Sequence, residues 1–164
     1  MSLRLIVMRH AKSSWDDPLL DDFDRVLNAR GKADAANIGA WLKAQGHIPD
    51  TALVSSAQRT QETFACLNID ADITLQDALY LASSDRLLQQ LRQAQGNTVL
   101  LLAHNPGIGD FAQRFARQLP QHPDFFRYPT CATTVFDVAA ETWADVRFGK
   151  NDSVDFCVPR DLRD

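Results

Sequence analysis

Short, mostly apolar runs alternate with amphipathic stretches along this chain. Runs at residues 3–8, 51–55 and 98–102 have the length and composition of strands buried on both faces of a parallel sheet. Amphipathic stretches at 29–45, 57–67, 84–95 and 108–119 predict helices, the first capped by Asn28 and the third by Ser84. A short extended piece around 73–75 precedes a turn at 77–82. The alternation predicts an α/β three-layer sandwich, with helices flanking a mostly parallel central sheet.

The pattern changes beyond Pro120. Residues 133–138 and 143–148 predict two strands that the four residues 139–142 join as a hairpin. Residues 159–164 predict a terminal tail. No repeat, linker or low-complexity tract interrupts the chain, so its 164 residues predict one domain over 1–164.

Composition excludes several classes of protein. Hydrophobic residues make up 45% and charged residues 23%, which is ordinary for a globular protein and unlike a disordered or fibrous one. The net charge is 17 − 21 = −4, so nothing in the overall field favours nucleic acid or an anionic membrane as partner. An anion site, if present, must be built locally.

Cysteine usage and hydropathy favour the cytoplasm. Cys66, Cys131 and Cys157 show neither a disulfide framework nor metal-ligand spacing. The apolar run at 5–8 is shorter than a secretory signal requires, and no stretch reaches the roughly 18 apolar residues of a membrane span. We therefore expect a cytoplasmic protein.

Two predicted strands end in histidine. His10 follows the first strand and His104 follows the strand at 98–102, where open α/β sheets place their ligands. Arg9 precedes His10, and Arg59 begins the helix after the strand at 51–55. A lone strand-end histidine is more often structural, but two histidines and two arginines at one sheet edge would make a strong dianion site. The sequence therefore predicts a phosphate site.

These residues carry a family resemblance. Arg9-His10-Ala11, Ser55-Ser56-Ala57-Gln58-Arg59-Thr60-Gln61-Glu62-Thr63 and Ala103-His104-Asn105-Pro106 resemble the three ordered motifs of the histidine phosphatase superfamily. Arg25-Val26-Leu27-Asn28-Ala29-Arg30-Gly31 is similar to a motif of its SixA-type phosphohistidine phosphatases. The resemblance implies a phosphoglycerate-mutase-like fold. The signature glycine after the histidine is replaced by Ala11, which would be tolerated if φ there is not positive.

The resemblance also implies roles. His10 would attack phosphorus and form a phosphohistidine, while Arg9, Arg59 and His104 would stabilise the transition state, with no cofactor and no metal. Asp77, three residues before Tyr80, would match the family's proton donor, although it could equally cap a turn.

Three further residues are substrate-binding candidates. Lys12 and Ser13 closely follow His10 and could donate to phosphate, and Arg25 could face the substrate. Each could as well be a solvated loop residue.

Other phosphatase patterns compete. Asp70-Ala71-Asp72-Ile73-Thr74 matches the string of the magnesium-dependent haloacid dehalogenase phosphatases, but a helix end precedes it where that motif needs a strand. Cys157 and Arg163 have the spacing of cysteine phosphatases, but Pro159 removes an N–H that a phosphate loop requires. A non-catalytic phosphate-binding module is also conceivable.

The length of the chain bears on the substrate. Between Ser56 and Leu102 there is room for a helix, an extended piece and another helix, but for no inserted lid. An open pocket favours phosphohistidine on a protein, such as a histidine-phosphotransfer domain, with a small phosphoester as the alternative. The acidic residues within 14–24 would lie near the entrance.

Overall fold

A six-stranded mixed sheet forms the centre of the molecule. The computed structural model describes residues 2–163. The strands are β1 (Leu3–Arg9), β2 (Thr51–Ser55), β3 (Asp72–Gln76), β4 (Thr98–Ala103), β5 (Thr133–Val138) and β6 (Asp152–Cys157). They lie in the order β3-β2-β4-β1-β5-β6. The first four in that order are parallel, and β5 and β6 add an antiparallel edge.

Helices cover both faces of the sheet. They are α1 (Ala29–Ala44), α2 (Gln58–Leu67), α3 (Ser84–Leu91) and α4 (Gly107–Phe115). Short 3₁₀ turns lie at Asp22–Asp24, Asp77–Leu79, Trp143–Asp145 and Pro159–Leu162. Alternate residues of β1 enter different apolar layers: Leu5 packs in the layer of α3 and α4, and Ile6 packs in the layer of α1 and α2. The predicted α/β three-layer architecture is confirmed.

The predicted hairpin after β5 is wrong in its second strand. Residues 143–148 contain a 3₁₀ turn, in which buried Trp143 donates its indole N–H to the carbonyl of Gly96 at 2.7 Å. The sixth strand begins at Asp152, nine residues after the predicted start at residue 143. It was missed because this edge strand, DSVDFC, is polar and half-exposed and gives little hydrophobic signal.

Helix boundaries differ in three places. Asn28 caps α1 as predicted, accepting from the N–H of Gly31 at 2.7 Å. The cap of α3 is Ser83, which accepts from Arg86 N–H, whereas Ser84 is buried inside the helix. Helix α3 ends at Leu91, before the predicted 95. Helix α4 ends at Phe115, before the predicted 119, because Ala116 is extended and bridges to the chain beside β6.

The predicted tail is folded as far as it is described. The Pro159–Leu162 turn packs against α1. One terminal nitrogen of Arg163 donates to both oxygens of the buried Asp34 carboxylate, at 3.0 and 2.9 Å. Asp164 lies outside the described residues. Among residues 2–163, no helix combines the length and hydropathy needed to cross a membrane.

Candidate active site

Adjacent parallel strands bring the two strand-end histidines together. Arg9 and Ala103 are register partners on β1 and β4, so the next residue of each strand, His10 and His104, leaves the sheet at the same carboxyl edge. Their ring centroids are 5.2 Å apart, and both residues are buried. The two histidines that follow strands in the sequence thus lie in one site.

Hydrogen bonds fix the tautomer of His10. Its Nδ1 lies 2.6 Å from the carbonyl oxygen of Ala11, which can only accept, so Nδ1 carries the proton. Its Nε2 has a lone pair, towards which Arg59 Nε–H donates at 3.4 Å. Burial, together with the positive charges of Arg59 and Arg9, lowers the pKa of His10 to about 4. His10 is therefore a neutral imidazole with Nε2 available as a nucleophile.

Arg59 extends from the first turn of α2 into the site. Its two terminal nitrogens donate to Asp22, one to the backbone oxygen at 2.6 Å and the other to the carboxylate at 3.0 Å. The Tyr80 hydroxyl donates to the same carboxylate. Hydrogen bonds from Tyr80 and Arg59 hold the pKa of Asp22 below its usual range. The Asp22 carboxylate thus occupies the guanidinium group of Arg59, to which an anionic ligand would bind.

His104 is held from two sides. Its Nε2 lies 2.8 Å from the hydroxyl of Ser55 at the end of β2, and the ring of Tyr80 packs edge-on against it at 5.4 Å. Its Nδ1 is buried and has no partner among the described residues. Burial, reinforced by the charges of His10 and Arg59, lowers the pKa of His104 to about 3. Neutral His104 can therefore offer Nδ1–H to a ligand when Ser55 donates to Nε2.

Arg9 is anchored by a loop that follows α4. One terminal nitrogen donates to the carbonyl of Tyr128 at 3.1 Å, and Nε is buried without a partner in the described chain. Asn105 fastens the same loop, donating to Tyr128 O at 3.0 Å and accepting from Gly109 N–H at 3.0 Å. Asn105 therefore holds the cavity wall beside Arg9 against the first turn of α4.

The departure at Ala11 is accommodated. Ala11 is fully buried and is not among the residues of positive φ. Its N–H donates to the Thr63 hydroxyl at 2.9 Å, and that hydroxyl donates to the carbonyl of Arg59 at 2.7 Å. The loop after His10 is therefore tied directly to the helix that carries Arg59.

These groups open into a cavity of about 520 Å³. It is lined by Arg9, His10, Lys12, Ser13, Trp15, Asp22, Arg59, Leu81, His104, Asn105 and Thr130. Lys12 and Ser13 line this cavity, so their roles as phosphate donors stay predictions, whereas Arg25 does not line it. Arg25 instead lies 3.7 Å above the ring of Trp15, whose side chain is 68% exposed at the cavity wall. Arg25 therefore contacts Trp15, a residue of the cavity wall, and does not line the cavity itself.

Asp77 lies apart from this cavity. It begins a 3₁₀ turn after β3, is exposed, and accepts a hydrogen bond from the Ser56 hydroxyl. The structure does not bring its carboxyl group among the lining residues, so its role as proton donor stays a prediction.

The two competing phosphatase patterns do not form sites. Asp70 and Asp72 lie at the amino end of β3, which is parallel to β2, so they are at the sheet edge opposite His10. Cys157 is buried, and burial raises the pKa of its thiol to about 12. Its supposed partner Arg163 is bound to Asp34. Neither pattern supplies an activated nucleophile.

Sequence reasoning missed Asp22, Tyr80, Trp15 and Thr130 as site residues. The acidic loop was expected near the entrance, but nothing distinguished Asp22 from its acidic neighbours. Tyr80 was noticed only as a landmark for Asp77. The contact of Tyr80 with Asp22 spans 58 residues of sequence, so only tertiary structure could identify it.

Sequence comparison identifies relatives over nearly the full chain. The profile of the histidine phosphatase superfamily (branch 1) matches residues 5–80. An uncharacterized protein of Mycobacterium tuberculosis is 32% identical over 93% of this chain and 100% of its own length. An uncharacterized chloroplast protein of Arabidopsis thaliana is 27% identical over 88% of this chain and 71% of its own length.

Solved structures show the same fold. A candidate phosphohistidine phosphatase SixA from Nakamurella multipartitia superposes with a TM-score of 0.83 at 26% identity, covering 97% of each chain. One from Agrobacterium tumefaciens gives 0.78 at 27% identity, covering 97% of this chain and 99% of its own. The fold is phosphoglycerate-mutase-like and SixA-like, and the matches support a phosphatase. The chain belongs to the histidine phosphatase superfamily.

Proposed function

We propose that this chain is a phosphohistidine phosphatase that removes phosphoryl groups from proteins through a covalent intermediate on His10. The observation that carries the proposal is the state of His10: neutral, with its proton held on Nδ1 by Ala11 O and its Nε2 lone pair beside Arg59. A nucleophilic imidazole requires this combination of charge and tautomer.

In the first step a bond forms between His10 Nε2 and phosphorus while the bond to the leaving group breaks. Arg9 and Arg59 neutralise the phosphoryl oxygens, and His104 donates from Nδ1. Asp22 must give up part of its contact with Arg59 to the entering phosphate. A substrate imidazole protonated on its other ring nitrogen leaves as neutral imidazole, so its departure requires no further acid.

In the second step a water oxygen attacks phosphorus, the bond to His10 Nε2 breaks, and inorganic phosphate leaves. His10 returns to the neutral state that its burial favours. The charges that stabilise both transition states come from this chain, so we expect turnover to persist in the presence of a chelator.

The short segment over the site supports a protein substrate. Between β2 and β4 the chain contains only α2, β3, a 3₁₀ turn and α3, as predicted. Trp15 and Leu81, which line the cavity, are 68% and 54% exposed. A phosphorylated side chain projecting from a folded partner could enter such a mouth, because the segment between β2 and β4 contains no inserted lid.

Trapping the intermediate tests the mechanism. The protein is mixed with a phosphohistidine protein, quenched in alkali, where phosphohistidine is stable, and analysed by peptide mass spectrometry. We expect one phosphoryl group on the peptide with His10 and none in His10→Ala, whereas the remote His122→Ala should behave as wild type. Turnover without labelling, or labelling elsewhere, would contradict the proposal.

Competition tests the substrate class. We expect kcat/KM for at least one phosphohistidine protein to exceed that for small phosphoesters. The reverse order for every protein tried would favour the small-molecule phosphomonoesterase and leave the chemistry at His10 intact. Binding without turnover of any substrate would favour a phosphate-binding module.

Asp77 is proposed as proton donor only for alkoxide leaving groups, which need protonation. We expect Asp77→Asn to slow an alkyl phosphoester far more than an aryl phosphate or phosphohistidine. Equal effects on all three substrates would make Asp77 a structural residue that holds Ser56.

A further inference from the structure

A second cavity, of about 330 Å³, adjoins the active site. The two cavities share Lys12 and Thr130 as lining residues. The second cavity, here called the basic groove, runs between the loop that contains Asp124 and Arg127 and the Pro159–Leu162 turn on α1. A ligand in the active site could therefore extend past Lys12 into the basic groove.

The basic groove has a positive net charge, whereas the net charge of the whole chain is negative. Its charged lining residues are the cations Lys12, Arg30, Arg127, Arg160 and Arg163 and the carboxylates Asp34 and Asp124. Five cations against two carboxylates leave a charge of +3, whereas the whole chain has −4. Such a local excess attracts anions because charges on one surface patch act together over about 8–10 Å.

The carboxylates occupy only some of these cations. Asp34 is bound by Arg163 at 2.9 Å and lies 3.9 Å from Arg30, and Asp124 pairs with Arg127 at 3.2 Å. Lys12 and Arg160 are exposed and have no ion-pair partner within residues 2–163. The cations without carboxylates thus lie towards solvent, where a partner can reach them.

We propose that the basic groove binds a second anionic group of the molecule whose phosphoryl group enters the active site. In a phosphoprotein this group is the carboxylate of an aspartate or glutamate close to the phosphohistidine. The inference rests on the proposed function and adds a substrate feature, a phosphohistidine with an acidic neighbour. Arginine forks match carboxylates in geometry, and an exposed pair contributes up to about 1 kcal/mol, or about fivefold in binding.

The acidic loop strengthens this selection. Asp16, Asp17, Asp21 and Asp24 are exposed on the loop that also supplies Trp15 and Asp22 to the cavity. An acidic patch of a partner is repelled there and attracted at the basic groove. The two fields together orient an acidic partner at the mouth of the active site.

Paired peptides and paired variants test the proposal. One phosphohistidine peptide has glutamates beside the phosphohistidine, and the other has glutamines there. The test variant Arg127→Gln/Arg160→Gln removes two charges from the basic groove and leaves the Arg163–Asp34 pair intact. The matched control Arg86→Gln/Arg147→Gln removes two exposed charges that line neither of these two cavities.

At low salt we expect the test variant to lose about tenfold or more in kcat/KM on the glutamate peptide, through KM. Its activity on the glutamine peptide and the activity of the control variant on both peptides should change less than twofold. Added salt should reduce the difference. Equal losses on the two peptides, or an equal loss in the control variant, would overturn the proposal.

A small-molecule series separates this inference from the proposed function. Phosphoramidate, which has no second anion, reports on the active site alone. If it is hydrolysed and neither peptide is, the proposed protein substrate fails, and phosphoesters with one or two phosphates then test the basic groove. A selective loss on the bisphosphate in the test variant would identify a small molecule as the source of the second anion. If the test variant shows no selective loss on the peptides or on the phosphoesters, the basic groove is not a subsite.

Discussion

Arg59 performs two tasks at the residue scale. It donates towards Nε2 of His10, which favours the lone pair there, and its positive charge helps to keep His10 neutral. Its terminal nitrogens, now on Asp22, are the fork that a phosphoryl group would bind. In the proposed mechanism, the same side chain therefore orients the nucleophile His10 and binds the phosphoryl group.

We expect Arg59→Ala to lower kcat by at least ~10²-fold, the scale found when one transition-state donor is removed. Arg59→Lys should recover only part of the activity, because an ammonium group lacks the planar fork. Steady-state kinetics with phosphoramidate as substrate measures kcat for both Arg59 variants, and Arg86→Ala serves as the control. An Arg59→Ala enzyme within tenfold of wild type would remove Arg59 from the mechanism.

Removing the charge of Asp22 should strengthen phosphate binding, whereas removing Arg59 should impair the reaction. Its carboxylate competes with phosphate for Arg59, so Asp22→Asn should strengthen inhibition by inorganic phosphate, by about fivefold if one unit charge is removed near the site. Asp24→Asn, on the same loop and outside the cavity, is the matched control. An unchanged inhibition constant in Asp22→Asn would mean that phosphate does not displace the carboxylate.

At the scale of elements, the C-terminal turn is fastened to α1 by one ion pair. The Asp34 side chain is 6% exposed, and Arg163 supplies both of its hydrogen bonds. This pair explains why a segment that resembles a free tail in sequence is folded along one wall of the basic groove.

Removing Arg163 leaves a buried carboxylate with only Arg30 at 3.9 Å. We therefore expect Arg163→Gln to lower the free energy of unfolding by about 1–3 kcal/mol, measured by urea denaturation. Arg160→Gln, three residues earlier and without an ion-pair partner in the described chain, should change it by less than about 0.5 kcal/mol. Equal effects of the two variants would contradict the role of the pair.

At the scale of the whole molecule, the two buried histidines couple the site to folding. In the folded state the pKa of His10 is about 4 and that of His104 about 3, whereas an unfolded histidine titrates near 6.5. As pH falls from about 6.5 towards 4, the unfolded chain takes up protons that the folded chain does not. The stability that depends on these two neutral histidines is therefore fully present above about pH 6.5 and is lost progressively as the pH falls towards 4.

Urea unfolding at several pH values between 7 and 4.5 measures this loss. We expect the free energy of unfolding to fall with pH, and to fall less steeply in a His10→Asn/His104→Asn variant, which lacks both titrating groups. His122→Asn should retain the wild-type slope. Parallel curves for the wild type and the double variant would show that these histidines do not control the acid stability.

The sequence by itself determined the parallel part of the sheet and the main candidate residues of the site. Buried parallel strands have apolar runs that local composition reveals, and the chemistry follows at their carboxyl ends, so His10, His104, Arg9 and Arg59 could be named from neighbours in the chain. Asn28 was recognised for the same reason, because a cap acts within three residues.

Only the tertiary structure decided what depends on distant contacts. The polar strand β6 exists because β5 pairs with it, and Asp22 matters because Arg59 and Tyr80 converge on it. The tautomer of His10 depends on which of its nitrogens meets a carbonyl and which meets an arginine. The basic groove joins residues 12, 127 and 160, which no local pattern relates, since electrostatic fields depend on position in space and not on order along the chain.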